Sequence, residues 1–281
     1  MKEKKPIKIV GNYNTSTGTP LSEENNPKLQ RRNRTVAIIM CVALTLFIAS
    51  VIVCIAYVSS YHHADEDAIQ AFLSVAVSDD LIANYVEDGN VAIKLKDSTP
   101  NTAIIFYPGG KVEHTAYVPL MKKCAESGIL CIIAKMPFNL AFLNTGAAND
   151  IKEDHPEITN WYICGHSLGG SAASVYLKKH ADEFEGLILL GSYASHDLSE
   201  TDLRVLTVRG SNDEIVTKKE HEKHLENLPK NYQEAIIEGG CHAYFGMYGE
   251  QKGDGTPAIS PTDQITQAAY LITSFINSNK S

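Results

Sequence analysis

Residues 165–170 read Gly165-His166-Ser167-Leu168-Gly169-Gly170 and follow directly on the apolar run Trp161-Tyr162-Ile163-Cys164. A G-x-S-x-G pattern carries mechanical meaning where a buried strand turns sharply into a helix, because the turn holds the serine in a strained backbone with its hydroxyl exposed. Glycines two residues either side of Ser167 allow the close backbone approach this turn requires. Gly169, Gly170, Ser171, Ala172 and Ala173 are all small. A helix starting there can press against its strand while its first N–H groups face the turn. Ser167 is therefore the candidate nucleophile, set against the ordinary reading of a glycine-rich turn before a helix.

A serine hydroxyl needs a base to take its proton and a carboxylate to orient that base. Downstream, Leu203-Arg204-Val205-Leu206-Thr207-Val208 reads as a strand and runs into Arg209-Gly210-Ser211-Asn212-Asp213-Glu214-Ile215-Val216. Asp213 sits in this loop, and Glu214 is its nearest rival. The next strand, Glu234-Ala235-Ile236-Ile237-Glu238, leads into Gly239-Gly240-Cys241-His242-Ala243. Of ten histidines, His242 alone follows a strand with glycines before it. His166 adjoins the serine but should point away from it, as elbow support. The other eight are expected in polar, exposed stretches or in the wrong place.

The oxyanion formed by serine attack needs two N–H donors. One is expected from Leu168, the residue after the nucleophile. The other is expected from the loop after the strand Thr102-Ala103-Ile104-Ile105-Phe106-Tyr107, which continues Pro108-Gly109-Gly110-Lys111. Gly110 is the chosen donor, with Gly109 and Lys111 as alternatives. Lys111 and Glu113 then lie at the mouth, either offering a cation to a substrate anion or forming a solvated salt bridge.

From about residue 100 to the C-terminus, these segments resemble the α/β-hydrolase superfamily, and more narrowly its small, lid-poor branch similar to dienelactone hydrolase. The chain order Ser167, Asp213, His242 is the order that superfamily uses. Pro108 departs from it, standing where many relatives carry histidine in the oxyanion loop. The resemblance implies a mostly parallel, doubly wound sheet flanked by helices, with the three side chains on loops at one edge.

The spacing of apolar runs agrees. A hairpin is expected from strands at 84–87 and 91–96 around Asp88-Gly89-Asn90. Further strands fall near 103–107, 130–134, 160–164, 186–191, 204–208 and 234–238, with helices near 115–127, 145–153, 168–180, 217–227 and 261–277. Only about a dozen residues, Ser192 to Leu203, separate two of these strands, too few for an inserted lid domain. The site should be open, its side walls drawn from 136–144 and 244–254 or those segments serving only as loop packing. That openness argues against a dedicated long-chain lipase.

Val36 to Val58 is 23 residues without a charge. At about 1.5 Å per residue it can cross a hydrocarbon core of about 30 Å. A secretory signal would have a shorter apolar core after a brief basic start, so a retained transmembrane helix is expected. Residues 1–35 carry eight lysines and arginines against three acids, a net of +5, whereas the remaining 246 residues carry 17 against 30, a net of −13. Positive flanks stay in the cytoplasm, which puts the N-terminus inside and the hydrolase domain outside the cell membrane. An acidic domain will not seek nucleic acid. The expected plan is a disordered cytoplasmic tail over 1–35, a transmembrane helix over 36–58, a juxtamembrane linker with a helix over 59–80, and the hydrolase domain over 81–281.

Six cysteines do not form a disulfide framework: Cys41 and Cys54 lie in the apolar run, Cys131 and Cys164 in strands, Cys124 on a helix, and Cys241 beside His242. No metal-ligand spacing and no G-x-G-x-x-G after a strand is present, so no cofactor is expected. The expected activity is hydrolysis of a small ester-like substrate by Ser167, His242 and Asp213 through an acyl-enzyme. An acyltransferase with the same triad, or a non-catalytic surface binding protein on this fold, are the alternatives.

Overall fold

The structure, a computed structural model, describes residue 16 and residues 27–76, 80–85 and 89–278. It divides into two units, residues 1–59 and 60–281. In the first, helix α1 spans Pro27–Ser59 and buries none of its side chains. Among the described residues it is the one helix long and apolar enough to cross a membrane. It begins nine residues before the uncharged run. Nothing between Pro27 and Val36 breaks a helix, proline is well placed at a first turn, and lysine and arginine are good helix formers. Residues 27–35, expected in the tail, are thus helical; most of the remaining tail lies outside the described residues.

The second unit starts with helix α2 (Glu66–Ala76), capped by Asp65, whose Oδ1 accepts the Ala68 N–H at 3.0 Å. The strands follow as β1 (Leu81–Tyr85), β2 (Val91–Leu95), β3 (Thr102–Tyr107), β4 (Leu130–Ile133), β5 (Asn160–His166), β6 (Gly186–Leu190), β7 (Arg204–Gly210) and β8 (Gln233–Ile237). They form one sheet in the order β1-β2-β4-β3-β5-β6-β7-β8. The β1–β2 and β2–β4 pairs are antiparallel and all others parallel. Helices α3 (Val118–Ala125), α4 (Ala147–Glu153), α5 (Leu168–Leu177), α6 (Lys218–Lys223) and α7 (Pro261–Asn277) complete the unit.

The central strands read as unbroken apolar runs because both faces are covered. Side chains alternate between faces. Ile104, Phe106, Tyr162, Cys164, Ile188 and Leu190 enter one core, while Ala103, Ile105, Trp161, Ile163, Leu187 and Leu189 enter the other. Between β6 and β7 lie 13 residues without helix or strand, so no lid domain is inserted there.

The expected hairpin is displaced: β1 begins at Leu81, and Tyr85 pairs with Val91. The expected turn starts at Asp88, which lies outside the described residues. Residues 114–117 form a 3-10 turn before α3, which shortens that helix. His114 and His221, expected in exposed stretches, are buried. A tertiary bond helps enclose His114: its Nε2–H donates to the Gly89 carbonyl at 3.1 Å.

Candidate active site

Ser167 stands between β5 and α5, at the N-cap of the helix, with φ 51° and ψ −124°. For a residue with a Cβ this costs about 1–3 kcal/mol, and it persists only where the surroundings enforce it. The enforcement is visible. The Ser167 N–H donates to the Leu190 carbonyl at 3.0 Å. Its carbonyl accepts from the Ser192 hydroxyl at 2.6 Å. Under it, α5 lies so close to β3 that a Cβ on Gly169 would sit 2.1 Å from the Tyr107 carbonyl oxygen.

Asp213 and His242 are brought into direct contact. The His242 Nδ1–H donates to Asp213 Oδ2 at 2.9 Å, and both side chains are 1 % exposed. Asp213 Oδ1 accepts the N–H groups of Ile215 at 2.9 Å and Val216 at 2.8 Å, which fixes the carboxylate. Glu214, the rival acid, is exposed. Between the strand ends lies Gly191, whose φ of +46° suits glycine; a Cβ there would stand 3.1 Å from both Asp213 Oδ2 and His242 Nδ1. Since Gly191 directly follows the residue that holds the Ser167 N–H, the elbow and the Asp213–His242 pair share one corner of the sheet. His242 Nε2 is buried and without a hydrogen-bond partner, so Ser167 and His242 are not hydrogen-bonded in this structure.

In the loop expected to supply an oxyanion donor, Pro108 to Lys111, two N–H groups are already engaged. The Gly109 N–H donates to the Tyr117 hydroxyl at 3.1 Å. The Lys111 N–H donates to the Asn139 carbonyl at 2.7 Å. Gly110 lies between them and packs on the residue after the serine: a Cβ on it would be 2.7 Å from Leu168 Cδ2. Gly109 and Lys111 are thereby occupied, and Gly110 and Leu168 stand side by side.

Beneath the site lie groups that sequence reasoning missed or only half saw. His166 is buried, as elbow support should be; its Nδ1 is 2.8 Å from the Tyr117 hydroxyl and its Nε2 is 3.0 Å from the His242 carbonyl. Burial first, and then the neighbouring His242, hold its pKa well below the ordinary imidazole value. Tyr117 carried no signal in the sequence. The Cys241 thiol, next to His242, is pushed up to about 12, mainly by burial, so it stays a thiol and not a nucleophile.

The walls differ from each other. In 244–254, Phe245, Met247 and Tyr248 are buried and pack, whereas Glu250, Lys252 and Gly253 are exposed. Phe138, Phe142 and Leu143 are exposed, and Phe138 and Asn139 both adopt left-handed backbones (φ 54° and 55°) next to the oxyanion loop. The Glu113 carboxylate accepts the Ala64 N–H at 3.2 Å and the Thr115 hydroxyl at 2.9 Å, with His63 at 3.4 Å. That contact belongs to a strap, residues 61–65. Its His62 bridges to Val112 in parallel, exchanging hydrogen bonds with Lys111 and Glu113, and its Asp65 N–H donates to the Met247 carbonyl at 2.9 Å.

Comparison with known proteins places the fold. Solved structures with the fold include Est1E from Butyrivibrio proteoclasticus, with a TM-score of 0.50 and 16 % identity over 70 % of this chain and 99 % of that one. A predicted CIB-like hydrolase from Thermoplasma acidophilum aligns with a TM-score of 0.49 and 13 % identity, over 69 % and 98 % of the two chains. No curated protein sequence matches. Residues 103–266, more than half of the sequence, match the α/β hydrolase family. With the sheet order and the strand-to-helix elbow described above, the chain belongs to that family.

Proposed function

We propose that this α/β hydrolase is a membrane-anchored serine esterase using Ser167, His242 and Asp213. The observation that carries the reading is the buried Asp213–His242 pair, whose Nε2 has no partner, at the same corner as a strained Ser167. Asp213 fixes the imidazole with its proton on Nδ1, leaving Nε2 as the base. Ser167 Oγ attacks the ester carbonyl while Nε2 takes the hydroxyl proton. The carbonyl oxygen becomes an oxyanion held by the Gly110 and Leu168 N–H groups. Collapse breaks the bond to the alkoxide, which leaves with the proton from His242. Water, deprotonated by His242, then attacks the acyl-enzyme; the carboxylic acid departs and the proton returns to Ser167.

The short connection between β6 and β7 supports a small ester entering an open site. The uncharged stretch of α1 supports a membrane anchor, and the basic flank on its N-terminal side supports an extracellular catalytic unit.

The test treats the full chain, in detergent, with a fluorophosphonate probe beside Ser167→Ala and His242→Ala. Stoichiometric labelling is expected in wild type and absent in both variants, followed by turnover of short-chain esters. A folded wild type that takes no label would make the protein a non-catalytic binder on this fold.

A further inference from the structure

Tyr117 and His166 are both buried, polar, and outside the chemistry just described. Their hydrogen bonds have one consistent direction. A carbonyl only accepts, so the 3.0 Å contact to the His242 carbonyl puts the His166 proton on Nε2. Among the described residues no carboxylate pairs with the ring. It faces the rings of Tyr117, His242, Phe245 and Tyr248 at 5.7, 4.6, 5.6 and 6.4 Å between centroids. In that setting the imidazole stays neutral, and its Nδ1 carries a bare lone pair. Nδ1 therefore accepts the Tyr117 O–H at 2.8 Å. The tyrosine oxygen, its own proton so engaged, accepts the Gly109 N–H at 3.1 Å.

The result is a buried chain from the Gly109 N–H, through the Tyr117 hydroxyl and the His166 ring, to the His242 backbone carbonyl. It begins on the oxyanion loop, passes through the residue before the nucleophile and ends on the residue carrying the base. Its fit is tight: a Cβ on Gly109 would lie 2.7 Å from both His166 Nδ1 and the Tyr117 oxygen. The inward Gly109 N–H anchors the loop one residue before Gly110, which packs on Leu168.

We propose that Tyr117 and His166 are positioning residues, a relay that sets the oxyanion loop and the backbone of His242 in register with Ser167. The proposal rests on the serine-hydrolase reading of the site. Neither side chain touches the substrate; each acts through the donor or base it holds.

The test is a double-mutant cycle in the full chain, with turnover counted per serine titrated by fluorophosphonate. Tyr117→Phe keeps the ring and deletes the hydroxyl; His166→Leu fills the space without polar atoms. Each is expected to lower kcat per titrated site by about tenfold or more, with KM within about twofold. The double variant is expected to be no worse than the worse single, since breaking one link or two breaks the same relay. Unchanged turnover per site in Tyr117→Phe, with only fewer sites or lower thermal stability, would reduce the pair to packing and overturn the relay. Multiplying losses in the double variant would do the same. A wild type that takes no label overturns the serine reading and the relay with it, whereas a labelled wild type with unaffected variants overturns the relay alone. Should the variants not fold, histidine 15N NMR of the wild type decides: a neutral His166 with its proton on Nε2 at pH 7 is expected, and an Nδ1–H tautomer or an imidazolium overturns the proposal.

Discussion

Asp213→Asn tests the site at its most sensitive atom. The carboxylate accepts two backbone N–H groups on one oxygen and the imidazole N–H on the other, and an amide offers only one acceptor for these roles. The imidazole is expected to lose its productive tautomer, and kcat to fall by about 10³- to 10⁴-fold while circular dichroism stays native. Gly110→Ala probes the other side of the reacting carbonyl. Its methyl group would meet Leu168 at 2.7 Å, and a loss of about 10²-fold in kcat is expected from the displaced donor, read by steady-state kinetics. The placement of Ser167, Asp213 and His242 was legible because each stands in a loop directly after an apolar strand, which fixes its place at the sheet edge before any side chain is seen. What separates Gly110 from Gly109 and Lys111 was not legible. It depends on where two N–H groups are already engaged, by Tyr117 and by Asn139, and neither partner lies in the motif.

Helix α5 and strand β3 meet at Gly169, where a methyl group would stand 2.1 Å from one carbonyl oxygen and 2.4 Å from the next. Backbone cannot yield as a flexible side chain does, so Gly169→Ala is expected to cost about 3 kcal/mol or more, seen as a lower urea midpoint. The parallel strands were readable because burial on both faces leaves an apolar run with turn residues at its ends. Element ends were less so. Leu81-Ile82-Ala83 pair with Ile93-Lys94-Leu95, which draws β1 three residues toward the N-terminus of its expected place. A 3-10 turn takes the first residues expected of α3, since tight i→i+3 bonds leave no distinct sequence pattern. Histidine burial was misjudged for a different reason, because it is tertiary: His114 bonds to Gly89, 25 residues away.

Three buried imidazoles, His114, His166 and His221, have pKa values lowered chiefly by burial. Below about pH 6.5 the unfolded chain takes up protons at these residues while the folded chain resists them, so the unfolded state binds more protons and stability falls as pH falls. The urea midpoint is expected to drop between pH 7.5 and 5.5, and replacing His114 by glutamine should flatten that drop. The proposed membrane anchor is tested on the same scale by alkaline carbonate extraction, which should leave the full chain in the pellet and release a chain lacking residues 1–59. Where such a shortened gene begins has catalytic consequences. Residues 61–65 are stitched to the backbone just beyond the oxyanion loop and to the loop beyond His242. A fragment opening at Ser60 keeps those stitches and should match the full chain in turnover; one opening at Glu66 removes them, and its turnover per titrated serine should fall even where it stays folded. The length of leader left on a secreted version would then act as a dial on the enzyme's rate.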